Sequence, residues 1–422
     1  MTRVRTFSGL CALLLTFALS AAPAHAQWLL VPMDRSQSDH LRAYGLTYWV
    51  LEQGNPAEWL LNYRGGSFLL PDAPSVRREA ALRGVSIEPM DPSGEARMRA
   101  TIEGSNMEAV PLERAPKIAI YTAPNTEIWD DAVTMALEYA GIGYETIWDA
   151  EVLGEGLADY EWIHLHHEDF TGQYSKFFLT YAGAPWLQEE VARNEEMARA
   201  AGARNVPELK QRVAEAIRAY IEGGGFLFAM CSATETIELA LAASGVDIAA
   251  QYADGTPPDP NATTKMNWER AMAFTGAQVH VSPNVNAFSD IDSHQVNTPW
   301  RRDLGVYTLF DFSAKFDPVP SMLTQNHAAV LPDFYGLTTA FSLERLKSGA
   351  IVLASEEGAA KYVHGNLGEG TWTYFGGHDP EDAEHQIGDP PTDLSLHPNS
   401  PGYRLILNNV LFPAAKKQQL KT

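Results

Sequence analysis

One stretch of fourteen residues, 223–236, constrains the fold of this chain more than any other. Its apolar run Phe226–Met230 predicts a buried strand that ends at Cys231. Small residues stand two positions before and after the cysteine, at Ala229 and Ala233. This spacing is typical of a sharp turn from a strand into a helix, where the backbones pass too close for larger side chains. We therefore expect Cys231 at a helix N-terminus, where backbone N–H groups favour a thiolate.

The rest of the C-terminal two thirds of the chain also alternates between predicted strands and helices. Strands and helices alternate from residue 117, which predicts an α/β fold with a mostly parallel, doubly wound sheet and helices on both faces. Functional sites in such sheets collect at the C-terminal ends of the strands. The predicted strands are 117–121, 144–147, 162–166, 226–230, 350–354, 361–364 and 371–375, and the predicted helices are 128–140, 206–221 and 403–411.

The first 26 residues are typical of a secretory leader. Arg3 and Arg5 precede an apolar run at 10–19, and a small-x-small cleavage pattern at 24–26 stands before Gln27. We expect a periplasmic or secreted protein. The predicted organisation is a leader at 1–26, a small N-terminal α/β unit at 27–115, an α/β domain at 116–415 with insertions at about 169–205 and 253–347, and a flexible tail at 416–422.

Composition excludes several classes of partner. The 422 residues carry a net charge of −22, and removal of the leader with Arg3 and Arg5 makes it more negative by two. Such a surface repels nucleic acid and anionic membranes, so we predict a small-molecule substrate and neither of those partners. Cys11 lies in the leader, which leaves Cys231 as the single cysteine of the mature chain.

A second motif lies late in the chain. The predicted strand 371–375 runs into two glycines and then His378, with Asp379 and Glu381 close behind. Glycines at a strand end free the histidine to reach a neighbouring strand end, where Cys231 is expected. His378 would take the thiol proton, and Glu381 or Asp379 would orient its ring.

Together, the Cys231 turn and the Gly-His-x-x-Glu motif resemble the class I glutamine amidotransferase-like superfamily, and its ThuA-like members in particular. The resemblance covers about residues 116–415 and implies a flavodoxin-like sheet. It also implies that Cys231 is the nucleophile, His378 the base and Glu381 the orienting acid. The sequence departs from the family pattern at Ala229 and Ala233, where the family has glycines, and His378 and Glu381 are three residues apart instead of two.

The whole chain also resembles secreted bacterial proteins that carry the label asparagine synthetase B. The residues do not predict that chemistry. Synthetases of that type resemble hydrolases whose catalytic cysteine is exposed at residue two, whereas the predicted mature chain starts at Gln27. No phosphate-binding glycine loop is present in the sequence either.

A third motif, His164 to Asp169, ends the third predicted strand. Strand alternation places His164 and His166 on one face, which is a possible metal-ligand pair with His385 or His378 approaching from elsewhere. Alternatively, the segment is a hydrogen-bonded rim without a metal ion, or it binds substrate. The residues predicted to contact substrate are His166, His167, Glu168, Ser232 and Asp379.

Three functions remain open at this stage. The first is an amide hydrolase of glutaminase or amidase type with Cys231 as nucleophile and no cofactor. The second is a metal-dependent hydrolase that uses the cluster His164, His166 and His167, with a divalent ion as cofactor. The third is a non-catalytic ThuA-like protein for carbohydrate binding or utilisation.

Overall fold

The computed structural model describes residues 27–124, 126, 131–154, 156–176, 178–285, 287–294, 305–324, 328–333, 338–383 and 389–415. The predicted leader, the predicted tail and His385 lie outside these residues, so export and a ligand role for His385 stay predictions. Within the described ranges, no helix combines the length and the apolar character that crossing a bilayer requires.

The N-terminal part of the chain forms its own antiparallel sheet of five strands in the order β4-β1-β3-β2-β5. Helix α1 packs on one face, and α3 covers the small apolar cluster on the other. The elements are β1 (Trp28–Val31), α1 (His40–Glu52), β2 (Ala57–Leu61), β3 (Ser67–Pro71), α2 (Pro74–Arg83), β4 (Glu88–Met90), α3 (Pro92–Gly104) and β5 (Glu108–Leu112).

The second sheet has ten strands and carries the remaining helices. Its elements are β6 (Ile118–Tyr121), α4 (Ala132–Ala140), β7 (Glu145–Ile147), α5 (Asp149–Leu153), β8 (Trp162–Leu165), α6 (Phe178–Tyr181), α7 (Pro185–Ala200), α8 (Val206–Glu222), β9 (Phe226–Met230), α9 (Ala233–Ala242), α10 (Gln251–Asp254), α11 (Ala262–Lys265), β10 (Val306–Leu309), β11 (Val330–Pro332), β12 (Phe341–Ser342), β13 (Ile351–Glu356), β14 (Ala359–Leu367), β15 (Gly370–Phe375) and α12 (Pro401–Leu411).

Five strands of this sheet are parallel, in the order β7-β6-β8-β9-β15. Numbered along the chain, that order is 2-1-3-4-5, which is the order of flavodoxin-like sheets. Strands β6, β8, β9 and β15 are buried on both faces, whereas the edge strand β7 has two exposed residues. Helices α4 and α12 share one apolar core with the sheet, and α8 and α9 share the other.

The prediction of a mostly parallel sheet is wrong. Four strand pairs are parallel and five are antiparallel, because β10 to β14 extend the sheet beyond β15. Short turns at Gly358 and Gly368 join β13, β14 and β15. Such turns allow antiparallel pairing only, since a parallel pair needs a crossover of a dozen residues or more.

The two sheets are not independent bodies. Helix α1 contacts both α4 and α12 of the larger sheet, and its apolar side chains belong to the same core as theirs. The division at residue 115 therefore marks a change of sheet inside one continuous core, and the domain limits stay a prediction.

A buried arginine links the N-terminal unit to helix α12 of the larger sheet. Arg404 on α12 has no solvent exposure, and its guanidinium donates to the carbonyl oxygens of Met33 (3.4 Å) and Gly65 (2.5 Å) in the N-terminal unit. Gly65 has a φ of 83°, and a Cβ atom there would lie 2.3 Å from the Met33 carbonyl oxygen. The two loops and the guanidinium thus form one closely packed junction.

We expect Arg404→Met to lower the free energy of unfolding by about 3 kcal/mol, because hydrogen bonds to a charged donor are worth about 1.5–3 kcal/mol each. Urea unfolding followed by tryptophan fluorescence measures the loss. The matched control is Arg199→Met, which removes an exposed ion pair with Glu195 (3.6 Å) and should cost under about 0.5 kcal/mol. Equal effects of the two substitutions would contradict a linking role for Arg404.

Candidate active site

Cys231 lies on a strained turn at the C-terminal edge of the sheet. Strand β9 ends at Met230 and helix α9 begins at Ala233, as predicted. The backbone of Cys231 adopts a φ of 49°, a left-handed conformation that costs a residue with a side chain about 1–2 kcal/mol. The thiol is partly exposed. Strained turns of this kind present nucleophiles above the sheet edge in hydrolases.

The end of β8 is held against the start of α9. The N–H of Ala233 donates to the carbonyl oxygen of His166 (3.1 Å), and the hydroxyl of Ser232 donates to that of His167 (3.0 Å). Thr236 donates to the carbonyl oxygen of Glu168 (2.7 Å). These bonds fix the peptide groups of His166, His167 and Glu168 beside the turn at Cys231. The imidazoles that follow β8 are therefore placed next to the sulfur.

Two of these imidazoles flank the thiol. The sulfur of Cys231 and one ring nitrogen each of His166 and His167 all lie within 4.8 Å of one another. His167 is exposed, and His166 is buried. The cluster is therefore open to solvent on one side and closed by protein on the other.

A carboxylate that the sequence analysis missed orients the buried imidazole. Asp131 is buried, and its carboxylate oxygens lie 3.1 Å from Nδ1 of His166 and 3.3 Å from Nε2 of His164. Burial by itself would raise the pKa of Asp131, but the two imidazoles outweigh it and hold that pKa well below its ordinary value. Asp131 is therefore ionised.

The sequence analysis missed Asp131 because it placed the start of a helix too early in the chain. The predicted helix 128–140 placed this residue inside the helix, whereas α4 begins at Ala132 and Asp131 is its N-cap, accepting from the N–H of Val133 at 2.7 Å. The available signal was its position in the first loop after β6, at the sheet edge where sites collect.

His166 is an uncharged imidazole beside a carboxylate. The charge of Asp131, 3.1 Å from Nδ1, favours the ring proton on that nitrogen, although neither buried ring nitrogen has a hydrogen-bond partner in the described part of the chain. Burial lowers the pKa of His166 to about 3, with a further contribution from His167. At neutral pH the ring is therefore uncharged, with the lone pair on Nε2.

His378 joins the cluster from the far side. Its Nε2 lies 3.2 Å from Nε2 of His167, and its ring centroid is 4.8 Å from that of His166. Gly376 makes this approach possible, because a Cβ there would lie 2.4 Å from the carbonyl oxygen of Thr339. The two distant motifs therefore meet through His167 and His378, and the direct contact between Cys231 and His378 stays a prediction.

The other predicted site residues have structural partners. Glu381 lies 3.0 Å from Nδ1 of His397, so Asp131, and not Glu381, orients an imidazole of the cluster. Asp379 is buried and accepts from the N–H of Glu381 (2.8 Å). Glu168 accepts from the N–H of His166 (2.7 Å), and the Ser232 hydroxyl is bonded as described above.

The structure changes which residues form the possible metal site. His164 donates from Nδ1 to the carbonyl oxygen of Phe228 (2.9 Å), and its other nitrogen faces Asp131. Two groups in the described residues have the donor atoms for a cation: Asp131, His164 and His166, and the group His166, His167 and Cys231.

A buried acid lies in the first turn of the helix that follows Cys231. Glu235 in the first turn of α9 has no solvent exposure, and its carboxylate accepts from the hydroxyls of Ser289 (2.5 Å) and Thr338 (2.9 Å). Burial, followed by the charge of Asp292, raises the pKa of Glu235 to about 8. The folded protein therefore keeps this acid protonated at neutral pH.

Comparison with known proteins yields distant structural matches. No protein-family model and no curated protein matches the chain. A ThuA-like protein from Bacteroides uniformis is 12% identical over 69% of this chain and 88% of its own, with a TM-score of 0.31. A protein from Thermoplasma acidophilum, assigned as one subunit of GMP synthase, is 10% identical over 71% and 94%, with a TM-score of 0.35.

A cytoplasmic protein from Salmonella typhimurium is 12% identical over 71% of this chain and 100% of its own, with a TM-score of 0.36. TM-scores this low carry no argument about chemistry. The resemblance to ThuA-like and amidotransferase-like proteins therefore stays a distant one, and no match supports the resemblance to asparagine synthetase B.

The strain at the turn predicts an unusual order of stability. Cys231→Gly should be more stable than Cys231→Ala by about 1 kcal/mol, because glycine adopts a positive φ at little cost. Urea unfolding of the two variants measures the difference. At a position with ordinary φ the order is reversed, so a more stable alanine variant would show that the turn is not left-handed.

The buried acid predicts a pH effect on stability. Between about 4.5 and about 8 the folded state binds a proton that the unfolded chain releases, so the free energy of unfolding should fall as the pH rises through this window. Glu235→Gln keeps a neutral group of the same shape and should remove part of that fall. Urea unfolding at about pH 6 and about pH 8.5 tests this. The same slope in both proteins would contradict a protonated Glu235.

Proposed function

We propose that the protein is a hydrolase of amide bonds in a small substrate, with Cys231 as the nucleophile. One observation carries the proposal: a cysteine in a left-handed strand-to-helix turn lies within 4.8 Å of His166, and Asp131 lies 3.1 Å from the Nδ1 of that histidine. Nucleophile, base and orienting acid are the three parts of a catalytic triad, whatever their order in the chain.

The reaction follows from these positions. Cys231 gives its proton to Nε2 of His166, and the sulfur attacks the carbonyl carbon of the substrate. The resulting oxyanion faces the backbone N–H of Ser232 and the positive end of α9. His166 then gives the proton to the leaving amine, and the thioester is hydrolysed by a water molecule that loses its proton to the same imidazole.

The free energies involved show why a thiol nucleophile needs an imidazole beside it. A cysteine with the usual pKa of about 8.5 is only a few per cent thiolate at neutral pH. A helix N-terminus contributes about 0.3–1 kcal/mol, whereas a two-unit shift of the thiol pKa needs about 2.7 kcal/mol. The helix terminus alone is therefore too weak, and we propose that an imidazole beside Cys231 takes the thiol proton as the sulfur attacks.

His167 and His378 form the open side of the site. His167 is exposed, and the two Nε2 atoms are 3.2 Å apart, so one ring donates to the other. We assign this pair to the contact with substrate and leaving group, which replaces the predicted role of His378 as the direct base.

The test is a burst experiment with 4-nitrophenyl acetate, followed by ammonia release from a panel of small amides that includes glutamine. We expect close to one acetyl group per chain in the burst. Cys231→Ala should abolish the burst, and His166→Gln should slow it by about 10²–10⁴-fold, which is the usual contribution of a general base.

The control is His397→Gln, which removes an imidazole outside the cluster and should leave the burst unchanged. A full burst from the Cys231→Ala variant would rule out the thiol mechanism. Hydrolysis that survives in that variant and stops with a chelator would favour the metal-dependent hydrolase. The absence of both activities would favour the non-catalytic ThuA-like alternative.

A further inference from the structure

We propose that Cys231, His166 and His167 also bind a zinc ion, or another thiophilic divalent cation, which reversibly blocks the nucleophile. The inference rests on the proposed function, because it assigns a regulator to the same thiol. One sulfur and two imidazole nitrogens within 4.8 Å of one another are the donor types that Zn²⁺ prefers.

The distances suit a tetrahedral ion after a small movement. Zn–S bonds of about 2.3 Å and Zn–N bonds of about 2.0–2.1 Å place neighbouring donors about 3.3–3.6 Å apart. Donor atoms within 4.8 Å of each other therefore need to close in by about 1.5 Å at most. The side chains of His167, which is exposed, and Cys231, which is partly exposed, have room for this movement.

Metal-binding imidazoles usually have a carboxylate or carbonyl group beside the ring nitrogen that does not bind the metal, and His166 has such a partner. Asp131 lies 3.1 Å from Nδ1 of His166, and its negative charge favours the ring proton on that nitrogen. The other nitrogen, Nε2, is buried and without a hydrogen-bond partner among the residues that the structure describes. His166 is thus pre-oriented as a ligand, and this feature is independent of the presence of the cysteine.

The neighbouring donor group is less suitable. Asp131, His164 and His166 are all buried, the carboxylate already contacts both imidazoles, and His164 Nδ1 is bonded to Phe228. A cation from solvent reaches the group with Cys231 first, because two of its three members have exposed surface. His378 lies 3.2 Å from His167 and so borders this group, and a water molecule would complete the coordination.

Binding of the cation displaces the thiol proton to solvent and forms a sulfur–metal bond. The sulfur lone pair that would attack a carbonyl is then shared with the ion, and His166 no longer has a free lone pair on Nε2. The cation is therefore expected to inhibit the acyl burst, and a chelator that removes it should restore the burst.

The first measurement is binding of Zn²⁺ itself, by competition with a chromophoric chelator, and of Co²⁺ by its sulfur-to-metal charge-transfer band. We expect one ion per chain and a charge-transfer band that is lost in Cys231→Ser. The affinity for Zn²⁺ should fall at least 10-fold in His167→Gln and by about 10–100-fold in Asp131→Asn. Asparagine remains a good N-cap, so α4 should persist in that variant.

The second measurement is the acetyl burst as a function of bound Zn²⁺, with His397→Gln as the control for both experiments. Loss of the burst in proportion to occupancy supports the inference. Failure to bind one ion per chain overturns it, and an intact burst in the same protein leaves the proposed thiol chemistry standing. Zn²⁺ binding that raises turnover overturns both, since Cys231 would then be a ligand of a catalytic metal.

Discussion

The site depends on the junction between the end of β8 and the start of α9. Three hydrogen bonds from Ala233, Ser232 and Thr236 fix the peptide groups of His166, His167 and Glu168. The same junction holds Cys231 in a left-handed conformation that an isolated peptide would avoid. The strained turn and the placement of the histidines therefore belong to the same junction.

Burial separates the roles of the histidines. His166 is enclosed and oriented by an ionised carboxylate, so its proton has a defined position and its other nitrogen is an acceptor. His167 is exposed and shares a contact with His378. The inner ring is suited to proton transfer or to holding a metal ion, and the outer pair is suited to meeting a substrate.

Much of the fold was predictable because it follows from local patterns. The apolar run before Cys231 and the small residues on both sides of it predicted a strand, a turn and a helix, and the structure contains them. The antiparallel half was missed for two reasons: β10 and β11 lie in the range 253–347 that was assigned to an insertion, and the residues of β13, β14 and β15 do not record the direction of their partners. Gly358 and Gly368, which adopt a positive φ, were the signal for short turns and therefore for antiparallel pairing.

The sequence by itself determined that a cysteine stands between a strand and a helix and that a histidine motif follows each of two other strands. Those features depend on residues close together in the chain. Only the tertiary structure decided that Asp131, and not Glu381, meets the inner histidine, and that His378 contacts His167. Such pairings depend on the order of strands in the sheet and on ångström-scale packing, which residue spacing along the chain does not record.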